Sequence, residues 1–486
     1  MAPVEPSFLN SNAGPLAQLY TQIAVAGTLL AFICGNISNA HLNVPPAQHT
    51  RSQHTLHRRG IIIFATLALL GLVLSAYFAV ARRVLSYRQW AEQGGENVPG
   101  TLWTGWYTKT ADGKLIPNEE VVWQLGRWMQ DTNIWVEGDS LALTSAKAWW
   151  WTQQQFAASL AWSAYVGIEA RRRHMPTFTI MSFIVLSSLV GLNVAQNLFY
   201  IALLLTPDTA PSDKSTSDPL WAPIGGVQAV YSVLPSLLLA FTPHLPSALT
   251  LLTFQRWILP LLRANISIIV PKALKHRFNS TGAARRSYTP LFSILAVFAL
   301  VMHIQQTFLA FGENTPRHRR SHFRFIWGHQ EADQSYGSLE RAGLAAGKVL
   351  DVLHTHPAIS AAAWDVLLSA FSFCIYAAVR GIDPSGMLKY SLAPWLKLHD
   401  HAEEHETSSA TKMDEPSKSK RGRKPSSSAS NALTSSAKAV ADAKVVHNVV
   451  ESEDAATAGE AAALGWGLFV LGGLGVLSAA VCGADG

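Results

Sequence analysis

Five apolar blocks decide most of what this chain can fold into. Ile61 to Ala81, Thr177 to Thr206, Pro290 to Phe311, Pro357 to Val379 and Ala461 to Cys482 each reach or exceed the roughly 20 residues a helix needs to cross a bilayer. Backbone N–H and C=O groups cannot stay unpaired in hydrocarbon, so such blocks fold as helices. Weaker blocks at Leu16 to Ile37, Trp149 to Ile168, Ile224 to Phe241 and Leu245 to Val270 raise the expected number of spans to eight or nine. With 49% hydrophobic and only 14% charged residues, the chain is too apolar for an ordinary soluble enzyme. The predicted fold class is all-α: a polytopic transmembrane helix bundle over residues 1–400, with a Trp-rich extramembrane segment at 83–148. A disordered loop at 401–460 and a last transmembrane helix at 461–486 follow.

No basic residue precedes the first block, and a signal peptide needs a positive flank there, so this block is read as a span retained in the mature chain. Cys34, Cys374 and Cys482 all lie inside apolar blocks at spacings that suit neither disulfides nor zinc. Arg51, Arg58 and Arg59, then Arg171, Arg172 and Arg173, share one side if the N-terminus is lumenal. The Trp-rich segment then faces the lumen, while Arg317, Arg319 and Arg320 conflict with any simple alternation of later spans. The net charge of +6 belongs to these flanks and suits an anionic bilayer surface; no nucleic-acid partner is expected. Localisation is multi-pass in an internal membrane, the endoplasmic reticulum. From His401 to Glu460 no aromatic residue occurs, and such a stretch cannot bury enough apolar surface to offset the entropy of ordering it.

Nine of the sixteen tryptophans, Trp90, Trp103, Trp106, Trp123, Trp128, Trp135 and Trp149 to Trp151, crowd the segment that also carries Asp131, Glu137 and Asp139. Trp rings gather at membrane interfaces because they are amphipathic, and this accounts for Trp149 to Trp151 at the head of a span. It accounts less well for Trp123 to Glu137, which is too polar to cross and reads as a short amphipathic helix capped near Asp131 or Thr132, then a loop. Aromatic faces attract cations and carboxyls deliver protons, so this stretch is a chemical candidate.

Polar residues also share faces inside the blocks. Asn193, Gln196, Asn197 and Tyr200 fall at i, i+3, i+4 and i+7, and Asp365, Ser369, Ser372 and Tyr376 fall at i, i+4, i+7 and i+11, again one helical face, in the block near 365. Gln155, Ser159, Trp162 and Glu169 align in the third span, and His303, Gln306 and Thr307 in the sixth. Interhelical amides serve equally as packing glue, Glu169 has helical partners in Arg172 and Arg173, and a lone histidine can be a packing residue. Asp365 is harder to treat so, because a carboxyl at that depth needs a partner or a cavity. No metal-binding carboxylate cluster, GxSxG elbow, HExxH site, P-loop or dinucleotide fingerprint appears, and no cofactor or metal is expected.

The run from Arg127 to Thr132 (RWMQDT), the Trp149 to Gln154 element (WWWTQQ) and the stretch from Ala195 to Pro207 (AQNLFYIALLLTP) resemble fungal integral-membrane terpene cyclases of the ascofuranone and macrophorin type. The resemblance is carried by residues 120–207; the loop at 401–460 lies outside it. It implies a membrane-bound cyclase of secondary metabolism that closes rings on a farnesylated meroterpenoid, epoxidised or not. An acid protonates the terminal alkene or epoxide, and rings close through carbocations without metal or diphosphate ionisation. The partner is then a lipophilic prenylated small molecule arriving through the lipid bilayer. Chemistry and position make Asp131 or Asp365 the expected proton donor, Glu137 a second carboxyl and Trp128 and Trp135 cation-stabilising walls. Asn193, Gln196, Asn197 and Tyr200 would orient the polar head. The rival reading is a non-enzymatic multi-span protein, a small-molecule exporter or a scaffold, with the polar stripes lining a passage.

Overall fold

The computed structural model describes residues 13–42, 51–96, 98, 108–109, 115–116, 123–132, 134–206, 221–223, 225–270, 275–277, 281–315, 338–389 and 431–485. The order is α1 (Ala13–Leu42), α2 (Arg51–Gly94), β1 (Thr108–Lys109), β2 (Leu115–Ile116), α3 (Leu125–Asp131), α4 (Ile134–Ala142) and α5 (Ala146–Arg172). Then follow α6 (Thr177–Leu189), α7 (Leu192–Leu205), β3 (Trp221–Pro223), α8 (Gly225–Phe241), α9 (Ala248–Ala264), α10 (Ile266–Ile269), β4 (Lys275–Arg277) and α11 (Thr281–Asn314). Last come α12 (Ser338–Leu350), α13 (Val352–Thr355), α14 (Pro357–Arg380), α15 (Pro384–Lys389) and α16 (Asn431–Asp485). Among the described residues the strands form two minimal antiparallel ribbons, β1 with β2 and β3 with β4, and the fold is helical.

Among the described residues five helical stretches are, by length and composition, apolar enough to cross a membrane: Ala13–Leu42, Arg58–Gly94, Tyr288–Asn314, Pro357–Arg380 and Ala458–Asp485, the last of which is interrupted at Gly473. This makes the chain an integral membrane protein in character, but it does not confirm eight or nine spans. Ile62, Leu69, Val73 and Tyr77 on α2, and Val301, Ile304 and Phe308 on α11, turn outward, as lipid-facing positions do. Inside, α5 is buried along nearly its whole length. Trp151, Trp162 and Tyr165 on it are fully enclosed, and small residues such as Ala158 and Ala161 let neighbouring helices come close.

Two apolar blocks that read as continuous spans are broken. Thr177 to Thr206 folds as α6 and α7, of 13 and 14 residues, each about 20 Å long at 1.5 Å per residue. Gly191 separates them at φ +151 and ψ 153, backbone that glycine alone adopts readily. Phe183 and Phe199, equidistant from the break, meet with ring centroids 5.2 Å apart, so the two helices run antiparallel. The last block breaks likewise at Gly473, φ +72 and ψ −177. A Cβ on Gly465 would lie 3.4 Å from Leu477, although 12 residues of straight helix span about 18 Å. Each block is therefore a hairpin whose tip points into the bundle. At Gly473 an added Cβ would meet His303 at 2.6 Å and Gln154 at 2.9 Å. Gly473→Ala is expected to destabilise the protein by about 1–3 kcal/mol, read as a lower melting temperature in detergent; an unchanged melting curve would refute the hairpin.

The helices sort into two ends. Gly60 of α2 lies against Leu204 and Val379, and Arg173 donates to the Leu203 carbonyl at 2.8 Å, which gathers Arg58, Arg59 and Arg171 to Arg173 at one end. At the other, Gly138 of α4 sits against Arg82 and Ala358, and Glu313 accepts from the Ala146 N–H. The loop expected after Thr132 is instead the helix α4. Of the loop expected at 401–460, residues 401–430 lie outside the described residues. From Asn431 the chain is helical, which suits its alanine-rich sequence.

Candidate functional site

Asp365 sits part-way along the buried face of α14, opposite the tip of the α6–α7 hairpin. Its Oδ2 accepts from the Leu192 N–H at 2.9 Å and from Gln155 Nε2 at 2.6 Å. Its Oδ1 accepts from the Asn193 N–H at 2.8 Å. Leu192 and Asn193 open α7, whose first N–H groups have no intrahelical acceptor and carry the positive end of the helix dipole. Asp365 is thus the cap of an intramembrane helix start, and all its contacts are donors to a carboxylate. A second hairpin tip is capped from α5, the helix that carries Gln155, since the Leu474 N–H donates to Gln154 Oε1 at 3.2 Å.

Below this layer the predicted amide ladder is fully enclosed. Asn197 Nδ2 donates to Asn193 Oδ1 at 2.6 Å, Ser372 donates to the same oxygen at 3.1 Å, and Gln196 Nε2 donates to the Tyr200 hydroxyl at 3.0 Å. The Tyr200 and Tyr376 rings stack at 3.9 Å. Tyr376 donates to Asp485 Oδ2 at 2.8 Å, Tyr165 donates to the same oxygen, and Arg380 holds Oδ1 at 3.1 Å. A polar seam thus runs between α7 and α14 from the hairpin tip to the arginine end. Glu169 pairs with Arg172 and Arg173, as its helical spacing predicts.

Above Asp365, α4 covers the bundle and brings its own charges. Asp139 pairs with Arg256, whose guanidinium lies over the Phe156 ring at 5.3 Å. Glu137 and Asp139 act electrostatically on Arg82, and Arg256 reaches both Arg82 and Asp365. Glu137 differs from every other carboxylate here. Its Oε2 is buried and has no hydrogen-bond partner among the described residues. His356 stands beside it as the cap of α14, its Nδ1 accepting from the Ala358 N–H at 3.2 Å.

Burial holds the His356 imidazole below its usual 6.5, with Glu137 opposing and Arg82 adding to the shift. The unfolded imidazole binds protons first, so this group's contribution to stability is complete above pH 6.5 and is lost as pH falls through the lower folded value. His356→Asn keeps a cap acceptor and has no proton to take up. Melting curves from about pH 7.5 to about pH 5 are expected to fall less steeply in the variant, and superimposable profiles would contradict the assignment.

Trp90, Trp123 and Trp128 belong to a separate cluster at the far end of α2. Tyr87, Ala91, Trp123 and Trp128 pack together, Trp128 Nε1 donates to Ser86 at 3.2 Å, and Trp90 Nε1 donates to the exposed Asp131 at 2.9 Å. Trp128 and Asp131 are accordingly not brought to Asp365, because α3 packs against α1 and α2. The Trp135 side chain lies outside the described residues. Among the described residues no group of three or more His, Cys, Asp or Glu could hold a metal. Comparison with protein families, curated proteins and solved structures finds no match.

The structure thus joins Asp365 and the amide ladder around α5, α7 and α14, and places Glu137 on α4 by Arg82 and His356. Sequence reasoning missed Arg82, Arg256 and His356. Arg256 could have been found as one of two charges, with Arg263, inside the Leu245 to Val270 block, and His356 as the residue before Pro357 at a helix start.

Proposed function

We propose that this chain is a membrane-bound terpene cyclase that closes rings on a lipophilic prenylated substrate after protonating its terminal alkene or epoxide. The observation that carries this reading is Glu137: a carboxyl oxygen enclosed without a partner among the described residues, on a helix that covers the bundle. In the reaction the Glu137 O–H bond breaks and its proton passes to the alkene carbon or epoxide oxygen. The resulting cation is consumed by ring closure, then trapped by an internal hydroxyl or quenched by loss of a proton. Asp365, accepting three hydrogen bonds, acts as a positioning residue that fixes the α7 tip and Gln155. The cluster of Arg58, Arg59 and Arg171 to Arg173 faces the cytosol on the positive-inside rule, and α4 faces the lumen of the endoplasmic reticulum.

The test incubates microsomes containing the protein with a farnesylated phenol and, separately, with its terminal epoxide. The expected product is a cyclised isomer of unchanged mass; unchanged substrate with folded protein present overturns the reading. The two hairpins favour a second reading, because broken helices with tips inside the bundle also build transport sites. A small-molecule exporter would leave the substrate unaltered but move it across sealed vesicles.

A further inference from the structure

At the arginine end, α9 presses closely on α5. Gly167 of α5 makes this possible, since a Cβ there would collide with the Ala264 carbonyl. The approach puts Arg171, one turn after Gly167, and Arg263, the residue before Ala264, on the walls of one small space that Tyr231 of α8 and Tyr288 of α11 complete. Arg171 Nη2 donates to Asn265 Oδ1 at 2.9 Å, and Arg263 Nη1 donates to the Tyr231 carbonyl. These bonds leave the Nε of both arginines and the Nη2 of Arg263 buried with no partner among the described residues. Arg263 as a whole is only 2% exposed. Among the described residues no carboxylate pairs with either guanidinium, and the neighbouring Glu169 is held by Arg172 and Arg173. Apart from the two arginines and two tyrosines, the lining is apolar.

We propose that this space holds a single chloride ion as the counter-ion of Arg263 and Arg171. The space measures about 20 Å³, room for one water-sized particle. A water there would accept from the unused N–H groups but would leave the buried charge of Arg263 unbalanced, which is costly where water is scarce. A monoatomic anion, little larger than water, meets both needs at once. Phosphate, sulfate and carboxylate each bring several heavy atoms and exceed the space, and a cation would face two guanidinium groups. The ion would tie α5, α8, α9 and α11 together where they meet. Glu137 and α4 lie at the other end of the bundle, so the site stands apart from the cyclase reading.

The test uses the full chain in phosphatidylcholine nanodiscs, with sodium chloride compared against sodium gluconate at equal ionic strength. Binding is read from the width of the chloride NMR line and from the melting temperature. The protein is expected to broaden the line saturably, with bromide competing and gluconate not, and to melt at a higher temperature in chloride, because a ligand of the folded state raises its stability. Arg263→Gln is expected to weaken chloride binding at least about tenfold, the worth of a charged hydrogen bond. Arg59→Gln, an exposed arginine at the same end, should leave it unchanged. Wild-type protein that neither broadens the line saturably nor melts higher in chloride overturns the proposal, and so does an Arg263→Gln variant that binds chloride as wild type does. Should that variant not fold, Arg171→Gln carries the same comparison. Stabilisation by phosphatidylglycerol in place of chloride would assign the arginines to a lipid headgroup and equally overturn the chloride site. Cyclisation does not enter the readout, so this site and the cyclase reading fail separately.

Discussion

Glu137→Gln is expected to abolish ring closure, by a factor of about 10²–10⁴, in protein that inserts and melts as wild type does. The substitution conserves shape and removes the transferable proton. Its structural cost is small because Glu137 Oε2 has no hydrogen bond to lose among the described residues. Glu137→Asp keeps the proton, set back by one methylene, and is expected to retain partial activity. Asp131→Asn serves as the control: Asp131 is exposed and held by Trp90 on the separate aromatic cluster, so activity should be unchanged. The measurement is cyclised product per unit of folded protein in microsomes. Full activity in Glu137→Gln would remove it as the acid and return the choice to the remaining carboxyls.

The helical class and the lipid-facing blocks were legible because apolar length is a local property of sequence. So was the shared face of Asn193, Gln196, Asn197 and Tyr200, since helical periodicity survives whatever the helix packs against. The hairpins were not legible, because hydropathy does not distinguish an apolar run that crosses from one that turns back. Gly191 alone marks the first turn, and its meaning depends on Asp365, distant in sequence, arriving to cap the exposed N–H groups. The division of the tryptophans was hidden for a related reason. Trp128 and Glu137 are close in sequence, yet α3 packs against α1 and α2 while α4 returns over the bundle, and only tertiary packing decides which goes where. Arg256 shows the opposite failure: its signal was present, a charge inside an apolar block, but its partner Asp139 lies on α4, far away in sequence.

Asp365→Asn is expected to act on stability first, lowering it by about 2–4 kcal/mol and reducing the yield of folded protein. Three donors converge on two carboxylate oxygens, and an amide offers one oxygen. Turned the better way, the substituted amide keeps the bonds from Leu192 and Gln155 but sets its NH₂ group against the Asn193 N–H; turned the other way it loses two bonds. Either orientation also removes the negative charge that complements the start of α7. Gln155→Leu deletes one of the same donors, so the two changes should be less than additive, a coupling that a double-mutant cycle on melting free energies resolves. Activity per folded molecule is expected to fall far less than in Glu137→Gln, because a cap positions the tip without giving up a proton. The decisive contrary result is an Asp365→Asn protein of wild-type stability and no activity. That outcome would make Asp365 the acid and demote its three hydrogen bonds to the means of holding it in place.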